Sequence, residues 1–226
     1  MNALDLLIPI ISLSVGIIPL FFVKRNFYLL ILALGAYFVA IFSKQIIQLS
    51  FLGFFLTPSL PTYLAYGLQT AILETGFAYL FLHFKKNLPK DISYGFSYGV
   101  YLAFFENAIL LGILYLPLYI NNTFGFPSNL PLDTIALSYL LPHFLDRVSS
   151  LIFHTYIGFM SFLAISTKKI TYFLLAMPFG MIDSLTAWWD LNHKPISYLE
   201  FAIIIFIINI ISIFIMLYAK NAQNRV

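Results

Sequence analysis

Apolar runs of about 20 residues, separated by short polar breaks, form the main pattern of the sequence. A helix rises about 1.5 Å per residue, so a run of this length crosses the roughly 30 Å hydrocarbon core of a bilayer. The pattern predicts an all-α, polytopic transmembrane helical bundle of seven spans, folded as a single membrane domain over residues 1–226. The predicted spans are residues 5–23, 27–49, 60–84, 93–118, 145–166, 170–189 and 197–219.

The composition indicates that lipid, not water, is the solvent of this chain. Hydrophobic residues make up 61% of the sequence and charged residues only 9%, whereas about a quarter of the residues of a soluble domain are charged. The first apolar run has neither a basic segment before it nor a small-residue cleavage site after it, so we expect a membrane span and not a signal peptide. The expected location is the cell membrane, as a multi-pass protein in contact with lipids.

The absence of cysteine and of familiar motifs narrows the possible chemistry. Without cysteine in the sequence, disulfides, thiolate metal sites and a cysteine nucleophile are excluded. Walker, GxSxG and HExxH motifs are missing too, which leaves nucleotide-driven transport and the common hydrolase motifs without support. The net charge of +3 comes from basic residues at span ends and not from a basic stripe, so no nucleic acid partner is expected.

Basic residues cluster on one side of the predicted bundle. The other side has only Lys44 and Lys194, with Arg147 at the start of span 5. Its longest loop, residues 119–144, has no Lys or Arg but contains Asp133 and the sequon at residues 121–123. Because Lys and Arg are enriched in cytoplasmic loops, we expect the N-terminus outside and the C-terminus inside. The clustered residues are Lys24, Arg25, Lys85, Lys86, Lys90, Lys168, Lys169, Lys220 and Arg225.

Four successive predicted spans carry an ionisable residue near mid-membrane. Glu74, Glu106, His154 and Asp183 all lie about 11 to 13 residues from the cytoplasmic ends of their spans, or roughly 16 to 20 Å from that face. An ionisable side chain at this depth costs several kcal/mol unless it has a partner, a cavity or a function. The sequence therefore predicts one polar layer shared by four helices.

The residue types of this layer favour a divalent cation or shared protons. Three carboxylates and one imidazole, with no Lys or Arg expected at the same depth, would otherwise raise one another's pKa values. The alternative is that protonated carboxylates hydrogen-bond across helices and only hold the bundle together. Asp146 and Arg147, near the outer end of span 5, are expected to form a local ion pair at the interface. Small residues that predict close helix packing here are Ala71, Ala78, Ala103, Ser150, Gly158, Gly180 and Ala187.

Four segments carry a resemblance to a known family. They are Leu73–Tyr79 (LETGFAY), Gly99–Asn107 (GVYLAFFEN), Asp146-Arg147 with His154 seven residues after the arginine, and Phe179–Asp183 (FGMID). In order and spacing they resemble the motifs of the YhfC family of predicted intramembrane metalloproteases, relatives of the PrsW and CAAX prenyl protease families. The chain departs from those motifs where the family has a second glutamate or a histidine, at Thr75, Leu102 and Phe179.

The resemblance implies a zinc-dependent peptidase. By that likeness Glu106, His154 and Asp183 would hold the zinc ion and leave one position open for water, while Glu74 would act as general base. The substrate would be a membrane-embedded or juxtamembrane peptide.

Two other classes of function stay open. The missing motif residues favour a catalytically inactive relative that binds membrane proteins as a scaffold subunit. A proton-coupled or cation-coupled transporter would use the same carboxylates, but the sequence has no inverted repeat and no sign of paired broken helices.

Overall fold

The computed structural model describes residues 3–50, 57–85, 88–89, 91–124 and 137–223. These residues form helices and turns without strands, which confirms the all-α prediction for the described part of the chain. The helices are α1 (Leu7–Ile17), α2 (Phe27–Ser50), α3 (Leu60–His83), α4 (Ser93–Phe104), a π-helical segment (Phe105–Leu114), α5 (Leu116–Phe124), α6 (Leu140–Ser166), α7 (Thr171–Gly180), α8 (Ile182–Leu191) and α9 (Tyr198–Gln223).

Among the described residues, five stretches of helix are long and apolar enough to cross a membrane. They correspond to the first, second, fourth, fifth and seventh predicted spans, and by length and composition they are compatible with a membrane protein. They are Leu4–Phe21, Phe27–Ser50, Ser93–Asn121, Leu137–Ser166 and Tyr198–Ala222. The total of seven spans and the orientation stay predictions.

The third predicted span forms a helix of sufficient length, α3, with 24 residues. It is less apolar than the five because it carries several polar side chains. Of these, Gln69, Thr70, Glu74 and Thr75 are buried inside the bundle. This helix therefore directs its polar residues towards the protein interior, as expected for polar groups at membrane depth.

The sixth predicted span, residues 170–189, consists of two helices with a break between them. Helices α7 and α8 have ten residues each and meet at Met181. Pro178 lies within α7 and cannot donate a backbone hydrogen bond. Around the break the backbone makes shorter turns, with the Met181 N–H donating to the Pro178 carbonyl at 3.1 Å and the Ser184 N–H to the Met181 carbonyl at 2.9 Å.

The described residues at both ends of the loop predicted over residues 119–144 are helical. Helix α5 continues to Phe124, and a 3₁₀ turn at Leu137–Tyr139 leads into α6. The fifth span therefore starts before residue 145, because the apolar pattern extends through Leu140 and Leu141. Asp133 lies outside the described residues, as do Lys86, Lys90 and Arg225 of the basic clusters.

Glycines bring neighbouring helices into close contact around the polar layer. A Cβ atom at Gly158 of α6 would lie 2.4 Å from the Gly99 Cα of α4, and one at Gly180 of α7 would lie 2.3 Å from the Ala71 Cα of α3. The close packing predicted from small residues is thus confirmed at Gly158, Gly180 and Ala71. These contacts set the spacing of α6, which carries His154, from α4, and that of α3, which carries Glu74, from α7.

Candidate functional site: a buried polar cavity

The four predicted site residues line one cavity of about 520 Å³. Residues of α2, α3, the π-helical segment, α6, α7, α8 and α9 form its walls. Spans that are distant in sequence thus bring Glu74, Glu106, His154 and Asp183 to the same space, as the shared depth predicted.

His154 lies at the centre of the polar contacts. Its Nδ1 atom is 3.0 Å from the Ser150 carbonyl oxygen, and because a carbonyl can only accept, Nδ1 carries the proton. In the neutral ring Nε2 then presents a lone pair. Nε2 lies 3.3 Å from Glu106 Oε2 and 3.6 Å from Glu74 Oε2, yet it is buried without a hydrogen-bond partner among the described residues.

Glu74, Glu106 and His154 form a compact group of possible metal ligands. One ligand atom from each residue lies within 4.8 Å of the others. Asp183 is not in this group, although the resemblance implied it as a ligand, and Glu74 takes its place. The structure therefore brings together two of the three implied ligands, Glu106 and His154, with Glu74 in place of Asp183. The role of each residue stays a prediction.

Asp183 contacts a lysine and a threonine. Its Oδ2 atom accepts a hydrogen bond from the Thr70 hydroxyl and lies 3.0 Å from Lys44 Nζ. Asp183 stands in the first turn of α8, where the positive end of the helix dipole stabilises a carboxylate. Its side chain is 37% exposed, whereas that of Glu74 is 8% exposed.

Lys44 of α2 reaches the polar layer, so the expectation that no basic side chain lies at this depth is wrong. Its Nζ atom lies 2.6 Å from Glu74 Oε1 and 3.0 Å from Asp183 Oδ2. The long lysine stem lets the ammonium group reach carboxylates on two other helices, α3 and α8. A signal was present in the sequence, because Lys44 and Gln48 are four residues apart on one face of an apolar helix, and the Gln48 amide donates to Gln69 Oε1 at 3.1 Å.

Arg147 is also part of the layer and not only of an interfacial pair. Its guanidinium lies 2.6 Å from Asp146 Oδ2, as predicted for a local pair, but also 3.4 Å from Glu106 Oε1. Glu106 Oε1 further accepts a hydrogen bond of 2.8 Å from the Ser150 hydroxyl. Sequence position alone placed Arg147 at the membrane surface, whereas α6 extends past it and buries it.

The cavity as a whole is negatively charged. Its walls carry five carboxylates and three basic side chains, which gives a formal charge of −2 when His154 is neutral. The charged residues are Glu74, Glu106, Asp146, Asp183 and Asp190, against Lys44, Arg147 and Lys194.

The residues fit a divalent metal ion. A buried imidazole Nε2 without a partner, flanked by two carboxylate oxygens, offers the nitrogen and oxygen ligands that zinc accepts. The Nδ1 hydrogen bond to the Ser150 carbonyl fixes the ring in the orientation typical of metal-binding histidines. The charge of −2 matches the charge of such an ion.

No protein-family model, curated protein or solved structure matches this chain. Its function must therefore be inferred from its own residues and their geometry.

Proposed function

We propose that this protein is an intramembrane metal-dependent peptidase of the cell membrane, with zinc held by Glu74, Glu106 and His154. The observation that carries the proposal is the buried Nε2 atom of His154, which faces two carboxylates without a hydrogen bond among the described residues. A buried nitrogen in this state costs free energy unless a cation or a proton binds it.

The proposed topology has seven spans, with the N-terminus outside and the C-terminus in the cytoplasm. Helix α3 is 24 residues long, and α7 with α8 together have the length of one interrupted span, so they add two crossings to the five apolar ones. The positive side of such a bundle would include Lys24, Lys85 and Lys168, whereas Lys194 would lie outside.

Zinc bound in this cavity would supply Lewis-acid chemistry and polarise the carbonyl group of a peptide bond. The protein side chains are arranged to support that chemistry. Ser150 holds the His154 ring through its carbonyl and Glu106 through its hydroxyl. Lys44 fixes the Glu74 carboxylate, whose second oxygen faces His154.

We assign the role of general base to Asp183 and not to Glu74. Its carboxylate is the more exposed of the two and opens into the cavity, where it can accept a proton from an attacking water. Glu74 is buried beside His154, in the position of a ligand. Glu74 and Asp183 therefore have the opposite roles from those implied by the resemblance, in which Glu74 was the base and Asp183 a ligand.

Metal analysis of the purified protein tests the proposal. We expect about one zinc ion per chain in the wild type and its loss in His154→Ala, Glu106→Gln and Glu74→Gln, measured by elemental mass spectrometry. Asp183→Asn should keep the metal but lose cleavage of membrane-embedded model peptides. The control is His193→Ala, because His193 is exposed in the turn after α8. Absence of zinc from the wild type would contradict the proposal.

A second candidate is a catalytically inactive protein that binds other membrane proteins. The contacts of Lys44 and Arg147 favour it, because together they give each of Glu74, Glu106, Asp146 and Asp183 a basic partner without a metal. In that case the wild type would contain no zinc, and Glu74→Gln would leave the binding of its partner nearly unchanged.

A further inference from the structure

The cavity extends from the polar layer to the α8–α9 end of the protein. On α8 it is lined by Asp183, Thr186 and Asp190, which are spaced three and four residues apart and therefore share one face of the helix. From Asp183 to Asp190 this face covers roughly 10 Å along the helix axis. Asp190 and Lys194 are both exposed at the protein surface, so the same cavity touches both the surface and the buried carboxylates.

Residues of α6 and α9 add buried polar atoms to the lining of the same cavity. Asn209 of α9 and Ser149 of α6 both line the cavity and are buried. Their Oδ1 and Oγ atoms have no hydrogen-bond partner among the described residues. The Asn209 amide is oriented by a 3.1 Å hydrogen bond from its Nδ2 to the Ile205 carbonyl, so the oxygen is the free atom. Such atoms bind water when they line a polar space.

We infer that this part of the cavity is a hydrated, cation-attracting entry path from the α8–α9 end to the polar layer. Water and positively charged solutes would enter along the Asp183, Thr186 and Asp190 face of α8. The attraction follows from the net charge of −2 on the cavity walls. The path supplies what the proposed peptidase needs, namely water and a metal ion, but it exists whether or not the protein cleaves peptides.

Thiol labelling tests the path directly, because the chain contains no cysteine. Thr186→Cys places a thiol on the path. Ile203→Cys is the matched control, since Ile203 is 41% exposed on the outside of the bundle and lies at a similar distance from the α8–α9 turn. Both variants would be placed in lipid nanodiscs and treated with charged, membrane-impermeant methanethiosulfonates.

We expect the thiol at position 186 to react about ten-fold faster than that at position 203, because only a hydrated thiol ionises to the reactive thiolate. The cationic reagent should react faster than the anionic one, and Asp190→Asn should reduce that difference. Rates at the two positions within about two-fold of each other would overturn the path. If the anionic reagent reacts at position 186 as fast as the cationic one, or faster, the attraction for cations would be overturned.

The metal content of the wild type is measured separately and decides the peptidase proposal. A protein without zinc that still labels rapidly at position 186 would retain the path and lose the metal site. The reverse result would retain the metal site and exclude this route to it.

Discussion

The polar layer has two halves, each organised by one basic side chain. Lys44 joins Glu74 and Asp183, which come from different helices and lie 30 and 139 residues from it in sequence. Arg147 joins Glu106, 41 residues away, to its own neighbour Asp146. Both bases pair with one well-buried and one more exposed carboxylate, and the two halves meet at His154.

The difference between the halves lies in what remains when the base is removed. Glu106 keeps the Ser150 hydroxyl, and Asp146 keeps the Tyr198 hydroxyl at 3.3 Å. In the other half Asp183 keeps the Thr70 hydroxyl, whereas Glu74 accepts its hydrogen bond from Lys44 and lies a full ångström farther from His154 Nε2. Glu74 in the Lys44 half therefore depends on its base, while both carboxylates of the Arg147 half keep a hydroxyl donor.

The largest effect is expected for Lys44→Met. This change leaves Glu74 and Asp183 without their cation, and removing one partner from a buried ion pair costs about 3–5 kcal/mol. Thermal unfolding of the metal-free protein in detergent measures the loss. Lys44→Arg keeps the charge and should lose much less. The double variant with Glu74→Gln should recover part of the loss, and a double variant no more stable than Lys44→Met would contradict the pairing.

A smaller effect is expected for Arg147→Met, about 1–3 kcal/mol, since the carboxylates keep their hydroxyl partners. The same unfolding measurement applies. Adding Ser150→Ala should then increase the loss, because it removes the remaining donor to Glu106. A loss larger than that of Lys44→Met would reverse the ranking of the two halves.

Gly158→Ala tests the contact between α4 and α6, which positions His154 relative to the segment that carries Glu106. Its Cβ would lie 2.4 Å from the Gly99 Cα, so the helices must separate at a cost of about 1–3 kcal/mol, offset by up to ~1 kcal/mol of helix propensity. Zinc retention should fall with stability, since His154 lies one turn away.

The matched control for this change is Gly76→Ala in α3. A Cβ at Gly76 meets nothing within 4 Å, so this variant should be as stable as the wild type or slightly more stable. Equal effects at Gly158 and Gly76 would show that the close approach of α4 and α6 is unimportant for the site.

The smallest effect is expected at the exposed pair of Lys24 and Asp91, outside the membrane spans. The hydrogen bond from Lys24 lowers the pKa of Asp91, with further hydrogen bonds from Ser93. A carboxyl whose pKa is lowered on folding stabilises the protein above its ordinary pKa of about 3.9 and loses this contribution as the pH falls below it.

Asp91→Asn should therefore lower the melting temperature slightly at neutral pH and have no effect in strong acid. Comparing the melting temperatures of the wild type and the variant as a function of pH measures this difference. A difference in melting temperature that grows as the pH falls would show that folding raises the pKa of Asp91 instead of lowering it.

Much of the fold and part of the site follow from the sequence. Apolar run length predicted the helices, and five of the expected spans are apolar enough to cross a membrane. Depth within each span brought Glu74, Glu106, His154 and Asp183 to one cavity. The span lengths and the shared depth both depend on position along a helix axis. This position can be calculated from the number of residues, because each residue adds a fixed rise.

The tertiary structure decided how these residues are combined. It placed Glu74, and not Asp183, beside His154 and Glu106. It also brought Lys44 and Arg147 into the polar layer and divided the sixth span at Met181. These features depend on the rotation of each helix about its axis and on the reach of long side chains. Both are set by contacts between distant segments, such as Gly158 on Gly99. Local sequence patterns determine which residues share a depth, whereas packing between helices determines which of them touch.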